Sequence, residues 1–404
     1  MSNSCAWISS TKRRNSHAEK SQKTRSGTGP RARGPAYSSQ AGRKISVTPK
    51  ERLTRANLKL FYTPGVGAVS SFLAQKPSET GHYTMRGNSV AVVSDGSAVL
   101  GLGNIGPEGA YPVMEGKAML FKALADIDAV PILLNTQDEK EIVETLKHIA
   151  PTFGGINLED IAAPRCFTIE AALQEALSIP VFHDDQHGTA MVVLAGLINA
   201  FKVTKKKPAR AMVVISGAGA AGQAIAKLLV QFGITRILVT DSVGIIAKGR
   251  KDLSSSKQEL ATLTNPEGKE GSLEEALVGA DVFIGVSRGN LLSRKHVASM
   301  APDPIIFALA NPDPEILPDE AKAGGARVIA TGRSDFPNQV NNALGFPGIF
   351  RGALDHRVER ITDDMLIRAA KNLAALVKEP RAERIVPDVF DKAVVPAVAR
   401  AIRK

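Results

Sequence analysis

Ala211-Met212-Val213-Val214-Ile215-Ser216-Gly217-Ala218-Gly219-Ala220-Ala221-Gly222 is the stretch of this 404-residue chain from which the fold can be read. Its first half is a short β-branched run of the kind buried in a parallel sheet, and its second half completes a G-x-G-x-x-G loop. Ile225, Leu228, Leu229 and Phe232 follow at i, i+3, i+4 and i+7, which predicts an amphipathic helix that Gly233 ends. Ile237-Leu238-Val239-Thr240 then reads as a second strand closing in Asp241, 24 residues past Gly217. Strand, glycines, helix, strand and acid in this order predict a dinucleotide-binding unit, because the glycines admit a tight turn and the helix N-terminus faces a pyrophosphate. Gly217, Ala218, Gly219, Ala220, Ala221 and Gly222 are the candidate coenzyme loop, and Asp241 the acceptor for ribose hydroxyls. An acid there repels a 2′-phosphate and leans the reading to NAD. Lys248, Arg250 and Lys251 lie near enough in sequence to counter it, so NADP stays open.

Working outward, short β-branched runs alternate with segments of helical period from residue 45 onward, the pattern of α/β architecture. Two domains are expected: a metal- and substrate-binding α/β domain over 45–195 and a Rossmann-type domain over 196–404, with the site in the cleft between them. Ser89 to Ser94, Asp95-Gly96 and Ala98 to Leu100 predict a hairpin around a type I′ turn. The glycine-dense run 101–117 (GLGNIGPEGAYPVMEGK) is read as a loop that delivers Lys117 to the head of a helix with Leu120, Phe121 and Leu124 on one face.

Gly155 to Leu158 predicts a strand ending in Glu159-Asp160, the segment from about Cys166 to Leu177 a helix, and Pro180 to His183 a strand ending in Asp184-Asp185. A parallel βαβ unit puts both strand ends on one edge of the sheet, so four carboxylates separated by 25 residues converge. The alternative reading of such acids is as helix N-caps and solvated turn residues. A carboxylate cluster beside a dinucleotide crevice points to hydride transfer assisted by a hard cation, Mg²⁺ or Mn²⁺, since these prefer oxygen ligands. His183 and His187 flank the second acidic pair and are read as packing or hydrogen-bonding residues behind the carboxylates in preference to ligands.

Composition narrows the alternatives. The formal charge of +11 is concentrated at one end: residues 1–44 hold ten basic residues against Glu19 alone, whereas the other 360 residues carry 41 basic and 39 acidic groups. The body is therefore close to neutral, nucleic-acid binding is not expected, and the 1–44 tail is expected to be disordered. Three readings of that tail compete: a solvated extension or early start codon, an organellar transit peptide, and a polyanion-binding arm. The expected location is cytoplasmic, or organellar if the tail is a transit peptide. Without a run of about 18 apolar residues no membrane span is expected. Cys5 and Cys166, far apart in sequence, make neither a disulfide framework nor a zinc site.

Six motifs then carry a family resemblance. Tyr62-Thr63-Pro64-Gly65-Val66, the run from Val99 through Gly106 to Pro112-Val113-Met114-Glu115-Gly116-Lys117, and Phe182-His183-Asp184-Asp185-Gln186-His187-Gly188-Thr189-Ala190 all resemble malic enzyme. So do Ala310-Asn311-Pro312, Gly332-Arg333-Ser334-Asp335, and Asn338-Gln339-Val340-Asn341-Asn342 with Phe346-Pro347-Gly348. The resemblance runs from about residue 43 to the C-terminus and is greatest to the short bacterial form. It implies NAD(P)-dependent oxidative decarboxylation of L-malate to pyruvate and CO₂. A malolactic reaction releasing lactate is the nearest rival, and a silent dinucleotide-binding interaction protein a more distant one. It implies Glu159, Asp160 and Asp185 as metal ligands, Lys117 as general base, Tyr62 as the acid that protonates C3, and Asp184 as a supporting acid/base residue. Asn311 and Asn342, and less strongly Asn341, would hold nicotinamide ribose or a malate carboxylate. A homo-oligomer, dimer or larger, is expected. In one place the chain departs from the pattern: many eukaryotic relatives clamp a malate carboxylate with an arginine where this chain has Ala98, which leaves the group that grips the distal carboxylate unidentified.

Overall fold

Every residue of β1 (Ser89–Ser94) is buried, so both faces of its sheet are covered, as a parallel sheet requires. The computed structural model describes residues 44–404, and the expectations for the basic tail lie outside the described residues. β1 pairs in parallel with β2 (Asp128–Leu133) on one side and β3 (Gly155–Leu158) on the other, and β3 pairs with β4 (Val181–His183). The resulting order is β2-β1-β3-β4.

The predicted hairpin at Asp95-Gly96 does not form. Gly96 does take a positive φ of 68°, but its carbonyl accepts from Ile105 and Gly106 N–H, so the turn closes a loop above the sheet edge. Both ladders of β1 are already taken by β2 and β3, and residues 98–100 have no strand to join. The glycine-dense run is also mostly helix: α3 spans Gly106–Ala125 despite Pro112 and places Lys117 in its second half instead of at its head. Ala110, Met114, Lys117, Ala118, Phe121 and Ala125 form its buried stripe, and packing of that stripe outweighs the poor helix propensity of its glycines and proline. Upstream, α1 (Leu58–Phe61) and α2 (Gly65–Gln75) bury none of their residues.

After β2, helix α4 (Glu139–Ile149) leads to β3, and α5 (Arg165–Ala176) crosses from β3 to β4. α6 (Thr189–Thr204) follows and buries eleven of its residues. The segment Asp184–Thr204 is long and apolar enough to cross a membrane, contrary to the sequence expectation, but most of it is buried in protein. Its apolar surface belongs to the largest core, which Val90 and Val92 of the first sheet share with Val213 and Ile215 of the second. The expected domain junction at 195/196 falls inside α6.

The second sheet is also all parallel, in the order β6-β5-β7-β8-β9, with β5 Val213–Ser216, β6 Ile237–Thr240, β7 Val282–Gly285, β8 Ile305–Ala308 and β9 Val328–Thr331. α7 (Ala220–Phe232) follows the glycine loop and ends at Gly233 with φ +101°. α8 (Ser255–Thr264) lies beyond β6. Both sheets reverse direction of growth beside their first strand, β1/β3 in one and β5/β7 in the other. In open parallel sheets ligand crevices form outside the strand C-termini at such reversals.

Candidate active site

The β3–α5–β4 unit behaves as its sequence predicts. Ile156, Asn157 and Leu158 pair with Val181, Phe182 and His183, which brings Glu159-Asp160 and Asp184-Asp185 to one edge. Glu159, Asp160 and Asp185 each offer an oxygen, all within 4.8 Å of one another, and the N–H of Asp160 donates to Asp185 Oδ2 at 2.9 Å. Glu159 and Asp160 are only 5% exposed. Burial, and then the charge of Asp185, push the Glu159 carboxyl up; burial and the neighbouring Asp184 do the same to Asp185. Three crowded carboxylates with oxygen-only donors fit a hard divalent cation such as Mg²⁺ or Mn²⁺.

Lys117 reaches this cluster from α3. Its Nζ lies 2.6 Å from Glu159 Oε2 and is ion-paired with Asp184 Oδ2, with the Phe346 ring centroid 4.3 Å away. Asp184 is completely buried, and burial pushes its carboxyl up to about 7. Burial alone would depress Lys117, but the charges of Asp184, Glu159 and Asp185 outweigh it and hold the ammonium above the usual lysine range.

A carboxylate that the sequence reading missed organises the turn after β4. Glu170 of α5 accepts from the N–H of His183 (2.8 Å) and from Gln186 Nε2 (3.0 Å), and lies 2.9 Å from His187 Nε2. Burial would raise it, yet the His187 ring holds it below the usual glutamate range, and Glu170 in turn raises His187. The available signal was an acid within the buried stripe Cys166, Ile169, Glu170, Leu173. His183 is buried and 4.0 Å from Asp185; burial lowers its pKa. Neither histidine joins the three-carboxylate group.

A cleft of about 790 Å³ is lined by Ser216, Gly217, Ala218 and Gly219 after β5, by Asp241 after β6, and by Ala163 and Pro164 of the loop that follows Glu159-Asp160. The loop that follows Glu159-Asp160 thus forms part of the wall of the coenzyme crevice. Gly217 has φ +115°, and a side chain at Gly222 would strike the Gly217 carbonyl, so α7 packs against the turn at a distance only glycine allows. Ala220 and Ala221 open α7.

Both oxygens of Asp241 are engaged. Arg250 donates to them at 3.0 and 3.2 Å, and Lys257 of α8 at 2.8 Å. Burial opposes ionisation, but these cations hold the Asp241 carboxyl down at about 2. Of the three cations expected to counter this acid, the described ion pairs include only Arg250. Lys257, sixteen residues downstream, was not foreseen.

The remaining candidates lie apart or in supporting positions. Asn342 stands near Gly188 of the acidic turn. The Asn341 side chain caps the short 3₁₀ turn by accepting from the N–H of Ala343 at 2.9 Å. Asn311 is exposed after β8, with its carbonyl against Gly101. Tyr62, at the end of α1, is 67% exposed and is not among the described contacts of Lys117 or the carboxylates.

Comparison with known proteins agrees with this geometry. The family profile described as "Malic enzyme, N-terminal domain" matches residues 42–142, and "Malic enzyme, NAD binding domain" matches 186–404. The chain is 54% identical to a bifunctional malic/malolactic enzyme of Bacillus subtilis, over 90% of this chain and 89% of that one. It is 53% identical to an NAD-dependent malic enzyme of Geobacillus stearothermophilus, over 89% and 76%. The crystal structure of an NAD-dependent malic enzyme from Thermotoga maritima superposes with a TM-score of 0.86 at 52% identity, covering 90% of this chain and 97% of that one. With two parallel α/β sheets, a nicotinamide-dinucleotide loop on the second and a carboxylate–lysine cluster at the edge of the first, the chain belongs to the malic enzyme family.

Proposed function

We propose that this chain oxidatively decarboxylates L-malate to pyruvate and CO₂ while reducing a nicotinamide dinucleotide, with Mg²⁺ or Mn²⁺ held by Glu159, Asp160 and Asp185. The observation that carries the reading is the buried Lys117 set among four carboxylates beside the dinucleotide cleft. When bound, the ion supplies Lewis-acid polarisation of the substrate C2 oxygen. Lys117 first passes its ammonium proton to the paired Asp184, whose carboxyl burial has raised, and the neutral amine then accepts the C2 hydroxyl proton as hydride leaves. Tyr62 keeps the role that family resemblance implies, returning a proton to C3. Asn311 and Asn342, with Asn341 behind them, orient ribose or substrate carboxylate through their amides.

Asp241 favours NAD⁺ by accepting from ribose hydroxyls, while Arg250 and Lys257 neutralise it and so admit NADP⁺ more weakly. Leu58, Leu60, Phe61, Tyr62 and Val66 expose an apolar face on α1 and α2, and this face meets a second copy of the chain in a homo-oligomer.

The test is a coupled assay with L-malate, Mn²⁺ and either NAD⁺ or NADP⁺. Pyruvate, CO₂ and reduced coenzyme in equal amounts, lost on adding EDTA, are the expected result; no coenzyme reduction with either dinucleotide refutes it. Lactate without net reduction would establish the malolactic reaction, a reading favoured by the name of the Bacillus subtilis relative.

A further inference from the structure

We propose that Arg165 is the residue that binds a carboxylate of the dicarboxylic substrate, an inference that rests on the malate reading above. A C4 dicarboxylate needs a cation besides the metal, and Lys117 is committed to Glu159 and Asp184. Ala98 offers no side-chain donor. Its N–H instead donates to the carbonyl of Asp160 at 2.9 Å, and the N–H of Ala162 donates to Ser97 Oγ at 2.9 Å. These two bonds fasten the loop after β1 to the loop after β3, at the point where the first sheet reverses.

Arg165 is the cation at this junction. It follows Pro164, a residue lining the dinucleotide cleft, and comes five positions after Asp160. Its Nη2 donates to Asp95 Oδ2 at 2.9 Å. The other oxygen of Asp95 accepts from Ser97 N–H at 2.9 Å and from Ser97 Oγ at 2.5 Å. Asp95 is fully buried and Arg165 is 28% exposed, so the acid fixes the guanidinium from one side, one residue along the chain from Pro164 of the crevice wall. Arg165 Nε is buried and has no partner among the described residues. A buried N–H without an acceptor is costly, and a guanidinium has five donors in a planar fork that matches a carboxylate. The orphaned Nε–H is the donor such a ligand would satisfy. The carboxylate would sit between the Asp95–Ala98 loop and the cluster at Glu159-Asp160, next to Ala163 and Pro164 of the coenzyme cleft.

Arg165→Gln and Arg165→Lys, assayed as the full chain with Mn²⁺ and NAD⁺, test the assignment; the lysine variant keeps the ion pair with Asp95 should the glutamine variant fail to fold. The expected result for Arg165→Gln is a KM for L-malate raised by roughly 10- to 100-fold, the range for a hydrogen bond to a charged group, with kcat less affected and the NAD⁺ Kd within two-fold of wild type. Preference for L-malate over the monocarboxylate L-lactate should fall by the same factor, a readout that loosening the loop would not move. Arg165→Lys should fall between. A malate KM within two-fold of wild type in either folded variant overturns the proposal, as does an equal weakening toward malate and NAD⁺. A wild-type protein that does not turn over malate at all overturns the malate reading instead.

Discussion

Replacing Lys117 with methionine keeps most of the length of the side chain and removes a charge that touches both Glu159 and Asp184. Lys117 is 7% exposed, so water does not compensate, and removing one partner of a buried ion pair costs about 3–5 kcal/mol. Part of this is recovered by proton uptake, because burial has already raised Glu159, Asp184 and Asp185. A carboxyl whose folded pKa lies above its unfolded value costs stability at high pH, and the cost vanishes below the unfolded pKa. The deficit of Lys117→Met relative to wild type should therefore be greatest near pH 8 and shrink toward pH 5. Catalysis has no such escape. Loss of a positioned proton acceptor lowers turnover by roughly 10²- to 10⁴-fold, while NAD⁺ binding at Gly217–Gly222, on the other sheet, stays within two-fold. Mn²⁺ should bind at least as tightly as to wild type, since a repelling cation has gone. Urea unfolding at pH 8 and pH 5, steady-state kinetics and Mn²⁺ calorimetry measure the three effects. Turnover within ten-fold of wild type, or weaker Mn²⁺ binding in a folded variant, would refute the proton-acceptor reasoning.

Three further outcomes are expected. Glu170→Ala releases His183 N–H, Gln186 and His187 from one anchor and should weaken Mn²⁺ binding by about ten-fold, as loss of groups supporting metal ligands does; unchanged Mn²⁺ affinity by calorimetry would remove Glu170 from the site. Lys257→Ala removes one of the two cations that donate to Asp241 Oδ2 and should weaken NADP⁺ by about ten-fold, a single charge-assisted bond, with NAD⁺ unchanged in a fluorescence titration; equal losses for both coenzymes would contradict the role given to Lys257. Phe61→Glu places a charge on an apolar face where Phe61 is half exposed, and light scattering should show a smaller assembly than wild type, whereas an unchanged mass would exclude that face from the contact.

What the sequence determined by itself was local or forced by topology. Strand β5, the glycine turn, α7 and the terminal Asp241 lie within 31 residues, and each step constrains the next through backbone geometry and helical period. The meeting of Glu159-Asp160 with Asp184-Asp185 was also legible, because a parallel strand–helix–strand unit leaves both strand ends on one edge. The hairpin was misread for a physical reason: Asp-Gly supplies a positive φ equally well to a hairpin or to a loop, and only the pairing of β1 with β2 and β3 decides between them. α3 was misread because its glycines and Pro112 speak for a loop locally, while the stripe from Ala110 to Ala125 finds its stability only against the core. Tertiary structure alone decided the partners of each charge. Lys117 with Asp184, Asp95 with Arg165, and Asp241 with Lys257 are separated by 67, 70 and 16 residues. No propensity or period in the chain encodes such pairings, which exist only because buried charges must find opposite charges once the sheets have closed.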